Sequence, residues 1–154
     1  MLNAILGQCL LPYLNKQTLS ISQIEKRWVN NVNNMKHAYL IIAHNEPFVL
    51  QTLLSLIDDR NNDVFLHIDK RSELLYRDIK SYRMKESYLD VLSDRISVYW
   101  GDISLVEVEL LLMERALNHG FYDYVHLLSG VDLPIKNQAT IHKFFQEFRG
   151  QELV

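Results

Sequence analysis

Four short apolar segments, each followed by a segment with helical spacing, constrain this chain more than any other feature. None of them contains Asp, Glu, Lys or Arg, and they cover residues 38–43, 64–68, 96–99 and 125–129. Runs of this length and composition are typical of strands that are buried on both faces. Because strands alternate with helices, we predict an α/β fold: a mostly parallel sheet with helices on both faces.

The segments between the strands carry helix-boundary residues as well as helical spacing. We predict helices over residues 48–57, 73–82, 105–118 and 137–148. Pro47 suits a first helical turn, where its missing N–H needs no partner, and Ser72 can cap the second helix. Ser104 and Glu107 form a capping box for the third helix, and Gly120 marks its end.

Two expectations about the middle of the chain follow from the same patterns. Residues 83–95 are polar and mixed, and we expect no more than a short helical turn near residues 88–92. The helix over residues 105–118 is apolar around most of its circumference, which favours a central position over a peripheral one.

Composition excludes several classes of protein. A chain of 154 residues with 48% hydrophobic and 23% charged residues is globular, and it fits one domain or a fragment of a larger one. The net charge of −3, without a long basic run, argues against a nucleic-acid-binding protein. Cys9 is the single cysteine, so we predict no disulfide framework and a reducing, cytoplasmic setting.

The first 34 residues differ from the rest. Residues 1–14 are apolar but too short to span a membrane, so we expect a soluble protein or one peripheral to the inner membrane face. Asparagine fills four of the five positions 30–34, which predicts a loop or linker. We therefore divide the chain into an N-terminal extension, residues 1–34, and a domain, residues 35–154, with Met35 as the hypothesised natural start. A short helical arm that packs on the domain is the alternative.

Polar, acidic and aromatic residues recur where each predicted strand ends. The four strand exits carry His44-Asn45-Glu46, Asp69-Lys70, Tyr99-Trp100-Gly101-Asp102 and Ser129-Gly130-Val131-Asp132. Parallel strands end at one edge of a sheet, where α/β proteins bind ligands. This recurrence favours a ligand crevice over the alternative, a set of turns and helix caps without a ligand.

Several kinds of site can be compared at this edge. Neither a P-loop nor a G-x-G-x-x-G fingerprint is present in the sequence. His67 and Asp69 share one strand face and could bind a metal ion, but no third ligand is evident, so we predict no metal site. Asp69 is better suited to accept hydrogen bonds from a base or sugar, and Tyr99 and Trp100 could stack on a ring.

Two further groups are interpreted without a ligand. A catalytic triad of Ser129, His44 and Asp132 can be assembled on paper, but the G-x-S-x-G elbow is missing, so a hydrolase is a weak alternative. His37, His119 and His142 are interpreted as structural residues at surface or cap positions.

The order of four segments resembles a known family. AYLIIAHN (residues 38–45), VFLHIDKRS (64–72), VYWGDISLVE (98–107) and YVHLLSGVDLPIK (124–136) follow the order and spacing seen in the core-2/I-branching enzymes. These are the β-1,6-N-acetylglucosaminyltransferases and xylosyltransferases of glycosyltransferase family 14. The resemblance covers roughly residues 36–148.

The resemblance implies a GT-A-type, Rossmann-like fold whose first half binds a UDP-sugar. Family members invert the anomeric centre and lack a D-x-D metal motif, so the resemblance implies no metal and no other cofactor. The donor-site residues that the resemblance implies are Ile42, Asp69, Tyr99, Trp100, Gly130 and Asp132. We add His44, at the first strand exit, as a further donor-site candidate.

Two departures from the family shape the expected function. Because the chain has one cysteine and no membrane anchor, we predict a bacterial version of these enzymes that acts in polysaccharide synthesis. The family's catalytic glutamate has no counterpart before Val154, so we predict no catalytic residue here. We expect a truncated, donor-binding half of an enzyme that transfers N-acetylglucosamine to a glycan hydroxyl, with an exposed sheet edge prone to association. A non-catalytic nucleotide-binding or interaction module is the alternative.

Overall fold

The structure is a computed structural model that describes residues 35–99 and 101–148. The chain divides into two units, Met1–Asn34 and Met35–Val154. The first unit lies outside the described residues, so the expected linker and the start at Met35 stay predictions.

Strands and helices alternate through the described residues, as the sequence predicts. In chain order they are β1 (His37–Ala43), α1 (Pro47–Leu56), β2 (Asn62–Ile68), α2 (Glu73–Lys80), β3 (Tyr88–Val91), α3 (Ile103–His119), β4 (Tyr124–Ser129) and α4 (Gln138–Glu147). All strand pairs are parallel. The predicted α/β fold with a parallel sheet is confirmed.

The sheet has the strand order β3-β2-β1-β4. β1 is central: Leu40 pairs with Phe65 of β2 on one side and with Leu127 of β4 on the other. The chain moves outward from β1 to β3 and then returns to the far side of β1 for β4. The reversal places a topological switch point between β1 and β4, where open α/β sheets bind ligands.

Alternate residues of the strands fill two cores, one on each face of the sheet. One core contains Tyr39, Ile41 and Ala43 of β1, packed against apolar residues of α1 and α2. The other contains Ala38 and Leu40, packed against Val108, Leu112 and Ala116 of α3. The period of two along β1 therefore separates the helices into two layers.

The third strand is not where the sequence predicts it. β3 is Tyr88–Val91, whereas residues 96–99 form no strand. Leu89 and Val91 pack on the core that β1 shares with α1 and α2. β3 is four residues long with a central aspartate, Asp90, and lies at an edge of the sheet, so it lacks the continuous apolar run of a buried strand.

The boundaries of α3 also differ from the prediction. Asp102, not Ser104, is the N-cap residue, and its carboxylate accepts a hydrogen bond from the Ser104 backbone N–H at 2.9 Å. Gly120 follows the helix, as predicted. The expectation of a central helix was wrong: Leu110 and Leu117, on the outer face, are about half exposed. The predicted cap of α2 also differs, because the Ser72 side chain makes no capping hydrogen bond to this helix.

A cluster of histidines lies at the start of β1. His37 is fully buried, and its Nδ1 is 2.8 Å from Nε2 of His126 on β4. The Nε2 atom of His142, on α4, is 2.9 Å from the Asn62 side-chain oxygen. Burial lowers the pKa of His37 to about 3 and that of His126 to about 4, and it also lowers the pKa of His142. The expected surface position of His37 was wrong.

These neutral histidines predict acid sensitivity. Their folded-state pKa values lie below the usual 6.5, so the unfolded chain binds more protons at low pH. We expect the free energy of unfolding to fall as the pH drops from 6.5 towards 4, by about 1.4 kcal/mol per pH unit for each of His37 and His126. Thermal melts between pH 7.5 and 4.5 measure this loss.

The double variant His37→Phe/His126→Phe serves as the control, since it keeps the ring packing and removes both partners of one hydrogen bond. Its melting temperature should depend less steeply on pH than that of the wild type. Equal slopes for the two proteins would contradict the assignment.

Gly130 permits a close approach between β4 and β1. A Cβ atom at this position would lie 2.5 Å from Cβ of Ala43 and 3.1 Å from its Cα. The Gly130 N–H also donates to the Ile42 carbonyl oxygen at 2.9 Å. Glycine is therefore required for contact, not for an unusual backbone angle.

We expect Gly130→Ala to destabilise the domain by about 1–3 kcal/mol, because the new methyl group forces the end of β4 away from β1. Chemical denaturation measures the change. Gly120→Ala is the matched control, since its nearest neighbour, Oη of Tyr122, would be 3.5 Å away. Adding Ala43→Gly to Gly130→Ala should recover part of the loss; a double variant no more stable than Gly130→Ala would argue against this contact.

Candidate functional site at the carboxyl edge

The carboxyl ends of β1, β2 and β4 are tied together by backbone hydrogen bonds. The Asp69 N–H, just after β2, donates to the Ala43 carbonyl oxygen at 2.8 Å, and Gly130 bonds to Ile42 on the other side. Residues from three strand exits thus form one continuous rim, which is named the carboxyl edge below. The sequence-based expectation that these exits converge is confirmed.

The Asp69 carboxylate is the centre of this rim. It is 2% exposed and accepts four hydrogen bonds. Three come from Arg71, through its backbone N–H and two guanidinium nitrogens, at 2.8–3.0 Å. The fourth comes from the Val98 N–H at 3.0 Å. The hydrogen bonds from Arg71 are the main reason that the pKa of Asp69 falls to about 2, so the group is an anion near neutral pH.

Arg71 and Tyr99 lie side by side on the solvent side of Asp69. The Arg71 guanidinium carbon lies 4.5 Å from the centre of the Tyr99 ring, and its Nη2 also donates to the Val98 carbonyl oxygen at 2.5 Å. Both side chains are more than half exposed. The Nη1 atom makes no hydrogen bond within the described part of the chain, so a planar cation and an aromatic ring are both available to a ligand.

Residues 96–99 run across the end of β2, which explains their apolar composition without a strand. The Ile96 N–H donates to Nε2 of the buried His67 at 2.9 Å, and the Ile96 carbonyl accepts from the Lys70 N–H at 3.1 Å. The Tyr99 N–H donates to the Ser104 hydroxyl at 3.0 Å. The segment is therefore held by β2, the turn after it and α3, and it presents Tyr99 at the rim.

The exit of β1 forms a second side of the rim. His44, Asn45 and Glu46 are exposed, and Glu46 has a left-handed backbone, with φ 52° and ψ 63°. The His44 carbonyl oxygen accepts a hydrogen bond from the Ser72 hydroxyl at 2.5 Å. This bond explains why Ser72 does not cap α2: its hydroxyl joins the turns that follow β1 and β2.

The exit of β4 closes on itself. The Ser129 N–H donates to the Asp132 carboxylate at 2.7 Å, and the Asp132 N–H donates to the Ser129 carbonyl at 3.1 Å. No hydrogen bond joins Ser129 to His44 within residues 35–99 and 101–148, so the Ser129–His44–Asp132 triad is not assembled. Asp132 is exposed and can still face a ligand.

Sequence reasoning named most of this rim but missed its main cation. Trp100 lies outside the described residues, so its role stays a prediction. Asp69 was expected to be free to accept from a ligand, whereas its acceptor positions are filled. Arg71 was overlooked. The available signal was an arginine two residues after the aspartate of H-x-D, close enough to form the bidentate pair that is seen.

Within residues 35–99 and 101–148, no group of three or more His, Cys, Asp or Glu side chains could hold a metal ion. A cleft of about 450 Å³ between β3 and α3 shares no residue with the rim. In the same part of the chain, no helix is long and apolar enough to cross a membrane.

The chain is similar to several animal xylosyltransferases. It is 23% identical over 126 residues to "Xylosyltransferase" of Ciona intestinalis, which covers 80% of this chain and 15% of that protein. It is 26% identical over 120 residues to "Xylosyltransferase 1" of Rattus norvegicus, with 76% and 15% covered. With "Xylosyltransferase oxt" of Drosophila pseudoobscura pseudoobscura it is 31% identical over 91 residues, with 58% and 10% covered. The chain thus spans about a seventh or less of these relatives' lengths.

The match to a protein-family model covers a larger share of the chain than the match to "Xylosyltransferase oxt" does. The model described as "Core-2/I-Branching enzyme" matches residues 37–154, which include every described strand and helix. Because this match covers well over half of the sequence, the chain belongs to the core-2/I-branching enzyme family.

Proposed function

We propose that this domain binds the nucleotide of a UDP-sugar at the carboxyl edge, as the donor-binding part of a sugar-transferring enzyme. The observation that carries the proposal is the arrangement around Asp69. One buried carboxylate holds Arg71 and residues 96–99, and it leaves a guanidinium and an aromatic ring exposed at the ligand-binding edge of the sheet.

The chemistry of this pair suits a uracil ring. The Arg71 guanidinium covers one face of the Tyr99 ring. Because the Tyr99 side chain is more than half exposed, ring surface remains on which a flat base can stack. The Nη1 of Arg71, which makes no hydrogen bond to the described residues, can donate to a carbonyl oxygen of the base. Asp69 then acts through Arg71: its charge and four hydrogen bonds fix the guanidinium plane before the ligand arrives.

The other predicted residues have supporting roles in this proposal. Ile42 and Gly130 fix the floor of the crevice at the switch point, where their backbones are bonded. Exposed His44 and Asp132 line its two sides. Neither a catalytic base nor a metal ligand is assigned within this chain.

The family resemblance supplies the finer parts of the proposal. They are inversion at the anomeric centre without a metal ion, and transfer to a glycan hydroxyl. N-Acetylglucosamine is the donor sugar predicted from the resemblance, and the names of the related xylosyltransferases add xylose as a second candidate. A bacterial origin and a cytoplasmic or membrane-peripheral location also stay predictions.

Calorimetry with UDP tests the nucleotide site. We expect Arg71→Ala to weaken binding by about tenfold or more, because a charge-assisted donor and a stacking partner are lost together. Arg71→Lys should recover little, since an ammonium group cannot reproduce the planar fork. Tyr99→Ala should weaken binding and Tyr99→Phe should not, because the ring is needed and the hydroxyl is not.

Arg77→Ala is the matched control, since it removes an exposed arginine of α2 that pairs with Glu73 and not with the rim. It should bind UDP like the wild type. Absence of heat at millimolar UDP, or an Arg71→Ala variant that binds as well as Arg77→Ala, would overturn the site.

Metal independence and sugar choice are measured with the same protein. We expect the affinity for UDP to change by less than about twofold between EDTA and excess Mg²⁺, because no bridging cation is needed. A strong requirement for Mg²⁺ would contradict this. Competition between UDP-N-acetylglucosamine and UDP-xylose shows which sugar the crevice prefers. If both UDP-sugars bind with the same affinity as UDP alone, the described residues contact only the nucleotide.

A further inference from the structure

The outer face of α3 carries a continuous apolar stripe. Its members recur at intervals of three and four residues and define the outer stripe: Ile103, Val106, Leu110, Met113 and Leu117. Ile103 is 66% exposed, and Val106, Leu110 and Leu117 are 45–54% exposed. Met113 is half-buried. This spacing is that of the a and d positions of a heptad repeat.

Packing on the sheet accounts for only one member of the outer stripe, Met113, which contacts the core that α3 shares with β1. α3 packs on β1 and β2 through a separate row, Ser104, Val108, Leu112 and Ala116, and all four of these residues are buried. Scattered exposed apolar residues are ordinary on protein surfaces. Four exposed residues in register along one helix, with the half-buried Met113 between them, form a seam of the kind that packs against a second helix.

Acidic residues flank the outer stripe on both sides. By helical spacing Glu107 and Glu114 lie along one flank and Glu109 lies along the other, at the e and g positions. None of the three forms an ion pair within residues 35–99 and 101–148. Arg115, the one lysine or arginine of α3, is directed to Asp94 at 3.1 Å instead.

We propose that the outer stripe is a docking surface for an amphipathic helix whose apolar seam is bordered by Lys or Arg. Charge complementarity selects this occupant, because basic residues at the facing positions would pair with the three glutamates. A second copy of this chain is disfavoured in either orientation: its α3 would bring glutamate against glutamate, and like charges at these positions oppose association.

The length of the stripe sets the size of the partner. From Ile103 to Leu117 the seam extends roughly 21 Å along the helix axis. It therefore presents about two heptads, which match a partner helix of about four to five turns. Because the flanks carry only negative charge, both parallel and antiparallel docking are electrostatically allowed.

Binding of synthetic peptides to the full chain tests the proposal. The probe is a fluorescently labelled helix-forming peptide about three heptads long, with Leu or Ile at a and d and with Lys or Arg at e and g. The matched peptide has Glu at e and g. Fluorescence anisotropy should show the basic peptide binding at least about tenfold more tightly, and the difference should shrink at high salt.

Three variants separate the contributions of the stripe and its flanks. Leu110→Ser removes the centre of the stripe and should abolish most of the binding. Leu74→Ser, at a 76% exposed leucine of α2, is its matched control and should have little effect. Glu107→Lys/Glu114→Lys should reverse the preference in favour of the acidic peptide. Circular dichroism and thermal melts establish that each variant is folded.

Three outcomes would overturn the proposal. The two peptides could bind alike, or Leu110→Ser could behave like Leu74→Ser. In the third, analytical ultracentrifugation would show that the wild type is a dimer, that Leu110→Ser is a monomer, and that neither peptide binds the dimer. The outer stripe would then be a self-association surface.

Discussion

The hydrogen-bonded Asp69 carboxylate is the interaction on which the carboxyl edge depends. A charge that is 2% exposed is tolerated only with partners, and Asp69 has them in Arg71 and the Val98 N–H. The same bonds determine where the Arg71 guanidinium lies and how residues 96–99 cross the end of β2. The stability of the turn and the geometry of the proposed nucleotide site therefore have one cause.

The two ends of the central strand are chemically different. At the carboxyl end, β1 meets Gly130 and the charged pair of Asp69 and Arg71. At the amino end, His37 is buried among neutral histidines, because burial lowers their pKa values. The carboxyl end thus carries a charged pair at the rim, whereas the histidine cluster at the amino end is neutral near pH 7 and lies close to an ion pair of Lys36 with Asp63. Acid should weaken that opposite end first.

α3 connects the site to the surface of the domain. Its N-terminal turn supports the rim, through the Ser104 hydroxyl that accepts from Tyr99, while its inner row fills one core and its outer stripe remains exposed. One helix therefore has two apolar faces with separate tasks. A partner on the outer stripe would lie on the same rigid element that positions the proposed base-stacking ring.

The amino-acid sequence by itself determined the order of strands and helices, since burial on both faces imposes continuous apolar runs such as residues 38–43. It also determined that Asp69 and Gly130 converge, because the parallel strands that precede them end at one edge. Only the tertiary structure decided that Tyr88–Val91 is the third strand, that Asp69 binds Arg71, and that four residues of the outer stripe are exposed. These features depend on which groups meet across the fold, and local periodicity carries no record of such contacts between distant residues.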